Sequence, residues 1–197
     1  MNVRVLVFDG ADELDFVGPY EIFRRAAKLR KEIDVKIVSL ATTAQVTAAF
    51  GLTVTPDGVL SEDTDLLVIP GGGWVESERV GVRAEIAHGI LTRKLAEMHA
   101  RGTVIAGVCT GTMALAAAGL LDGRPAVTHK GALADLRGMR ANVVEARVVD
   151  AGDVVTCGGV TASIDLALWL VERFWGYDLA AHIADSLEYA RHKASVS

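Results

Sequence analysis

The chain has 197 residues, 51% of them hydrophobic, with a net charge of -5 and two cysteines. That composition supports one substantial core, so one compact domain over residues 1–197 is expected. The acidic balance argues against nucleic-acid binding, which relies on Lys and Arg neutralising phosphates; one cysteine pair is too little for a disulfide scaffold, and no apolar span reaches membrane-crossing length.

The opening run Val3–Phe8 is rich in β-branched residues and stops at the turn dipeptide Asp9-Gly10, which predicts a buried first strand. It lacks the longer apolar region and cleavage site of a signal peptide, so a reducing cytoplasm is the expected compartment. Pro19 suits a first helical turn, and Tyr20, Ile22, Phe23, Ala26, Ala27 and Leu29 form a helical face down to Arg30. Val35–Leu40 reads as the second strand. Ala44–Asp57 alternates weakly around Gly51 and Pro56, as short strands or an edge hairpin would.

Asp65–Ile69 is a continuous apolar strand that ends at Pro70-Gly71-Gly72-Gly73, and one helical segment is expected from about Arg83 to Arg101. Thr103–Val108 is a further buried strand that runs through Cys109-Thr110-Gly111-Thr112 directly into a helix ending at Gly119. Short strands follow near Ala126-Val127, Glu145–Asp150 and Val154–Thr156. The last helices are expected at Thr161–Trp175 and Leu179–Ala190. Strands alternating with helices predict an α/β sandwich with a mainly parallel sheet, whose ligands gather at the carboxyl ends of the strands.

Two segments stand at such ends, the glycine run and Cys109. At a strand-to-helix turn, unsatisfied N–H groups and the helix dipole favour a thiolate, so a lowered pKa is expected for Cys109. Cys157, in Thr156-Cys157-Gly158-Gly159, occupies a similar strand exit, and position alone does not separate the two. Thr110 offers a backbone N–H to an oxyanion and a hydroxyl to water or substrate, or simply caps the first turn. A glycine-run amide could complete an anion-stabilising pair. The run lacks the spacing of a phosphate-binding loop.

Asp15 is bracketed by apolar residues, so its carboxyl is either partly buried with a raised pKa or an N-cap ahead of Pro19. Asp12 and Glu13 read as solvated loop charges. His129, about twenty residues beyond Cys109, either pairs with the cysteine across the fold or caps a turn; His88, His99, His182 and His192 fall on helical stretches facing solvent. No metal-ligand spacing is present, so no metal is expected.

Taken together, Phe8-Asp9-Gly10, Leu14-Asp15-Phe16-Val17-Gly18-Pro19-Tyr20-Glu21, Ile69-Pro70-Gly71-Gly72, Gly107-Val108-Cys109-Thr110-Gly111, Ala117–Gly123 and Thr156–Val160 resemble the ThiJ/PfpI superfamily. Within it, the Asp-Phe-Val-Gly-Pro and Cys-Thr-Gly pair is most similar to the isonitrile hydratase group. The resemblance implies a flavodoxin-like three-layer sandwich of the class I glutamine amidotransferase type, with Cys109 strained at a nucleophile elbow. It implies Cys109 as nucleophile, Asp15 as its acidic partner, Thr110 as the residue positioning water, and Gly72 as the glycine whose amide faces the cysteine. His129 matches a position near the cysteine in several branches, but Lys130 follows it here where regulator-like branches carry an aromatic residue.

The expected activity is hydration of an isonitrile to an N-substituted formamide, by a homodimer needing no cofactor and acting on a small molecule. Relatives on the same fold are glyoxalases, deglycases, proteases or oxidative-stress sensors, so aldehyde chemistry and cysteine-based redox or ligand sensing are the alternatives. Most sensor-type relatives carry glutamate at the position of Asp15. Some transcription regulators add a DNA-binding domain after this motif set, for which no room is expected before Ser197.

Overall fold

A computed structural model describes residues 1–74, 79–192 and 194–196. In chain order the elements are β1 (Asn2–Leu6), α1 (Glu13–Leu29), β2 (Asp34–Ser39), β3 (Val46–Thr47), β4 (Thr53–Val54), β5 (Gly58–Val59), β6 (Leu66–Ile69), α2 (Val82–His88) and α3 (Ile90–Ala100). Then come β7 (Val104–Gly107), α4 (Thr112–Ala117), β8 (Pro125–Ala126), α5 (Leu133–Gly138), β9 (Asn142–Val143), β10 (Val148–Asp150), β11 (Val154–Cys157), α6 (Ala162–Trp175), α7 (Tyr177–Ser186) and β12 (Ser195–Val196).

The main sheet runs β12-β10-β11-β7-β6-β1-β2-β5. Its inner strands β2-β1-β6-β7-β11 are parallel, in the doubly wound order of flavodoxin-like sheets, and only the β10–β11 pair is antiparallel. Helices α1, α6 and α7 pack together as one layer and α2, α3 and α4 as another, so the architecture is the expected three-layer sandwich. Buried on both faces, β1, β6 and β7 need continuous apolar sequence, and Leu66, Leu67, Val68 and Ile69 are all fully buried.

Several boundaries differ from the sequence reading, each for a local reason. Helix α1 begins six residues before Pro19, because the Asp12 side chain accepts the Leu14 N–H at 3.2 Å and caps it there. Pro19 therefore sits inside the helix, where it has no N–H for the Asp15 carbonyl one turn back. The expected helix over 83–101 is two helices, broken at Gly89, whose φ of +75° ends α2. After Cys109 the chain makes one 3-10 turn, Cys109–Gly111, before α4. Helix α7 stops at Ser186 rather than near Ala190, with Glu188 turned to a φ of +51°.

The 44–57 segment does form a small antiparallel hairpin, β3–β4. It packs on the loop after β1 through Gly10 N–H to the Thr47 carbonyl and Ala49 N–H to the Ala11 carbonyl, both 2.9 Å. The 145–150 strand shortens to β10.

Candidate active site

Strands β6 and β7 run side by side in parallel, so the loops that leave them, Pro70–Gly73 and Val108–Gly111, open at the same sheet edge. Cys109 stands there with φ of +53°, a left-handed conformation that costs a residue bearing Cβ about 1–2 kcal/mol. The strained elbow implied by the resemblance is therefore present. Neighbours flank both peptide groups of the cysteine: the Thr128 hydroxyl donates to the Cys109 carbonyl at 2.8 Å, and the Cys109 N–H lies near the Cys157 sulfur.

Pairing of β7 with β11 separates the two cysteines. Cys157 ends β11 fully buried, with its thiol pushed far up by desolvation, whereas Cys109 opens onto a cleft. Cys157 is thus a packing and anchoring residue beside Cys109, and both thiols are free.

Asp15 lies in the first turn of α1, not at its cap, and is completely buried. Its Oδ2 accepts the Gly71 N–H at 2.9 Å. Oδ1 meets no nitrogen or oxygen donor, and the carboxyl faces the Cys109 thiol. Burial, reinforced by the nearby Asp12 charge, pushes the Asp15 pKa up to about 8, against the opposing pull of the Gly71 N–H and the thiol.

Cys109 departs from the thiolate expectation. Burial first, then the Asp15 and Asp12 carboxyls, push its thiol up to about 12, while the backbone N–H groups of Val160 and Thr110 act the other way. A 3-10 turn stands between the cysteine and α4, and the nearest charged neighbours of the thiol are acidic. Two acids sharing one buried pocket oppose each other's ionisation, so burial and proximity both favour the protonated forms of Asp15 and Cys109.

The Thr110 hydroxyl accepts the Gly72 N–H at 3.0 Å, which leaves its own proton for another partner. The Gly72 amide is thereby engaged with Thr110. Its neighbour Gly71 is the glycine pressed against the acid: a Cβ there would lie 2.5 Å from Thr110 Oγ1, 2.6 Å from Thr110 N and 2.9 Å from Asp15 Oδ2. The N–H groups directed at the sulfur come from Thr110 and from Val160, whose φ of +23° is rare for a β-branched residue. Val160 was not singled out from sequence, although it closes the Thr156–Val160 motif. Thr128 carried no signal.

The cleft over Cys109 has a volume of about 180 Å³, with Phe50, Trp74, His129, Asp12 and Val160 around Cys109 and Thr110. His129 does reach the site. Its Nδ1 accepts the Gly131 N–H at 3.2 Å, so the neutral ring carries its proton on Nε2. Asp12 and Glu13 are not free loop charges: Asp12 caps α1 and lines the cleft, and Glu13 Oε1 accepts the Phe50 and Leu52 N–H groups, tying the hairpin tip to α1.

Of the other histidines, His99 pairs with Asp153 at 2.8 Å, and His192 lies beyond α7 beside Asp165. Among the described residues no cluster of three His, Cys, Asp or Glu side chains could hold a metal, and no helix is long and apolar enough to cross a membrane. A larger groove of about 340 Å³ lies between α1 and α7, lined by Arg24, Arg25, Lys28, His182 and Ser186, away from Cys109.

Residues 1–173 match the sequence pattern of the DJ-1/PfpI family. The chain is 30% identical to an isonitrile hydratase of Pseudomonas putida over 96% of its own length and 79% of that protein's. It is 28% identical to a deglycase of Pyrococcus abyssi, over 87% and 96% of the two chains. A crystal structure of a ThiJ/PfpI family protein from Pseudomonas syringae superposes with a TM-score of 0.85 at 29% identity, covering 98% of this chain and 76% of that one.

Proposed function

The chain belongs to the DJ-1/PfpI family, and from that premise we propose that it is a cysteine-dependent enzyme that hydrates an isonitrile to an N-substituted formamide. The observation that carries the reading is a fully buried Asp15 facing the Cys109 thiol, its pKa raised to about 8 so that it is a proton donor at neutral pH. The terminal carbon of an isonitrile carries a lone pair and accepts both a proton and a nucleophile, and a neutral carboxylic acid–thiol pair supplies both.

In the first step the Cys109 sulfur bonds to the terminal carbon while Asp15 gives that carbon its proton and takes the thiol's, leaving a thioimidate. Water then adds through oxygen to the same carbon, and one of its protons ends on nitrogen. The carbon–sulfur bond breaks as the carbonyl forms, and the second water proton returns to the Asp15–Cys109 pair. The sum is one water added and no electrons transferred. The Thr110 hydroxyl, its acceptor side taken by Gly72, donates its proton to the incoming water's oxygen or to the substrate. The Val160 and Thr110 N–H groups stabilise negative charge on sulfur.

In this reading the enzyme acts as a cytoplasmic homodimer without cofactor, which sedimentation analysis and metal analysis of the purified protein would check. A second reading, aldehyde chemistry by the same thiol, draws support from the deglycase relative. The test is a panel of simple isonitriles and methylglyoxal on wild type and Cys109→Ala. Formamide production that depends on Cys109 is expected. Turnover unchanged in Cys109→Ala removes the nucleophile assignment, and turnover of methylglyoxal alone moves the reaction to the second reading. Selective peroxide oxidation of Cys109 with no turnover of any substrate points to a sensor instead.

A further inference from the structure

Gly18 and Ser163 take no part in the chemistry above, yet they meet where the two halves of the site join. Ser163 is fully buried in the first turn of α6. Its hydroxyl donates to the Leu14 carbonyl at 3.1 Å, across 149 positions of sequence, and Leu14 is the residue before Asp15. Its backbone N–H donates to the Val160 carbonyl, also at 3.1 Å, and Val160 is the residue whose own N–H is directed at the Cys109 sulfur. One residue thus holds the acid's helical turn with its side chain and the thiol's loop with its backbone.

The first turn of α1 needs support from outside its own helix. Pro19 offers no N–H to the Asp15 carbonyl, so that turn lacks one of its hydrogen bonds. Gly18 lets the two helices approach: a Cβ there would lie 2.9 Å from Ser163 Oγ, while its next neighbours, Ile164 Cγ1 at 3.6 Å and Ser163 Cβ at 3.8 Å, stand at ordinary contact. Glycine inside a helix is destabilising, and here the close approach to Ser163 accounts for it. We propose that Ser163 is a positioning residue whose hydroxyl, seated between Gly18 and the Leu14 carbonyl, sets the spacing of the Asp15 carboxyl from the Cys109 thiol. Asp15 is completely buried, so a slackened α1 turn admits water to its carboxyl and favours the ionised form. The inference rests on the acid–thiol pair alone and holds whichever substrate Cys109 attacks.

The test reads the proton on Asp15 itself. Wild type, Ser163→Ala, Gly18→Ala and the double variant are titrated by infrared spectroscopy, following the carboxylic-acid carbonyl band that is absent from Asp15→Asn, with thermal melts in parallel. The wild-type midpoint is expected at about 8. Ser163→Ala should lower it by about one unit, a tenfold rise in the ratio of ionised to protonated acid. Gly18→Ala, whose methyl meets Ser163 Oγ and wedges the helices apart, should move it the same way. In the double variant the methyl at position 18 faces the remaining Cβ at position 163 across 3.8 Å and replaces the hydroxyl as spacer, so the midpoint should return most of the way to wild type. A serine that only stabilises the fold lowers the melting temperature of Ser163→Ala and leaves the midpoint in place; that result overturns the proposal, as does a double variant whose midpoint stays displaced. If Ser163→Ala does not fold, an unmoved Gly18→Ala midpoint overturns it alone. Midpoints that move as expected, in a protein that turns over no isonitrile, remove the proposed reaction and leave the positioning role standing.

Discussion

Replacing Asp15 by Asn should make stability less sensitive to pH, and the sign follows from its burial. In the unfolded chain Asp15 ionises near its ordinary 3.8, while in the folded protein it keeps its proton until about pH 8. Between those values the folded state holds one proton more than the unfolded state, so wild-type stability falls as pH rises through that window. Each pH unit contributes about 1.4 kcal/mol, which gives about 4 kcal/mol lost by pH 7 and an upper figure of about 6 kcal/mol across the 3.8-to-8 window. Asn keeps a carbonyl oxygen for the Gly71 N–H that Oδ2 accepts at 2.9 Å and has no proton to lose. Urea unfolding followed by tryptophan fluorescence at pH 5, 6, 7 and 8 compares the two proteins. Asp15→Asn should gain on wild type by about 1.4 kcal/mol per unit and level off above pH 8. A difference that stays flat across pH 5–8 would refute the raised carboxyl, and with it the neutral acid–thiol pair.

The thiol gives a companion measurement. Alkylation of wild-type Cys109 by iodoacetamide should keep accelerating above pH 9, because its pKa is pushed to about 12, and Asp15→Asn should shift the midpoint down by removing the carboxylate that raises it; an ordinary cysteine profile in wild type contradicts this. Gly71→Ala forces a methyl within 2.9 Å of Thr110 and Asp15, so it should cost about 1–3 kcal/mol in unfolding and strongly slow Cys109 alkylation. Thr128→Val removes one of the donors to the buried Cys109 carbonyl, which keeps the Thr112 N–H, and should cost about 0.5–1.5 kcal/mol, with Thr128→Ser restoring most of it in the same melt. Cys157→Ala should lower stability by about 1–2 kcal/mol yet leave Cys109 alkylation intact, which distinguishes an anchoring cysteine from a reactive one.

Much of the scaffold is legible along the chain because its signals are local. The apolar runs of β1, β6 and β7, the glycine stop after Ile69 and the cysteine at a strand exit each arise within a few residues, and their alternation with helices implies the parallel sandwich. Helix boundaries were less legible where one residue decided them, as the Asp12 side-chain cap moved the start of α1 and the left-handed backbone of Gly89 divided the 83–101 helix. The resemblance pointed to Cys109 and Asp15, but not to the state of their protons.

The starting conditions at the site come from contacts between distant segments. Cys109 and Cys157 look alike locally, and they diverge only because β7 pairs with β11, leaving one thiol at the cleft and burying the other. Gly71 rather than Gly72 meets the Asp15 carboxyl, Val160 brings its N–H from 51 positions away along the chain, and Thr128 holds the Cys109 carbonyl. The sequence by itself determined the strands, the turns and the residue types that carry the chemistry, because those follow from short-range periodicity and backbone preference. Only the tertiary structure decided burial, and burial sets the protonation of Asp15 and Cys109, since desolvation depends on what every other element packs around them.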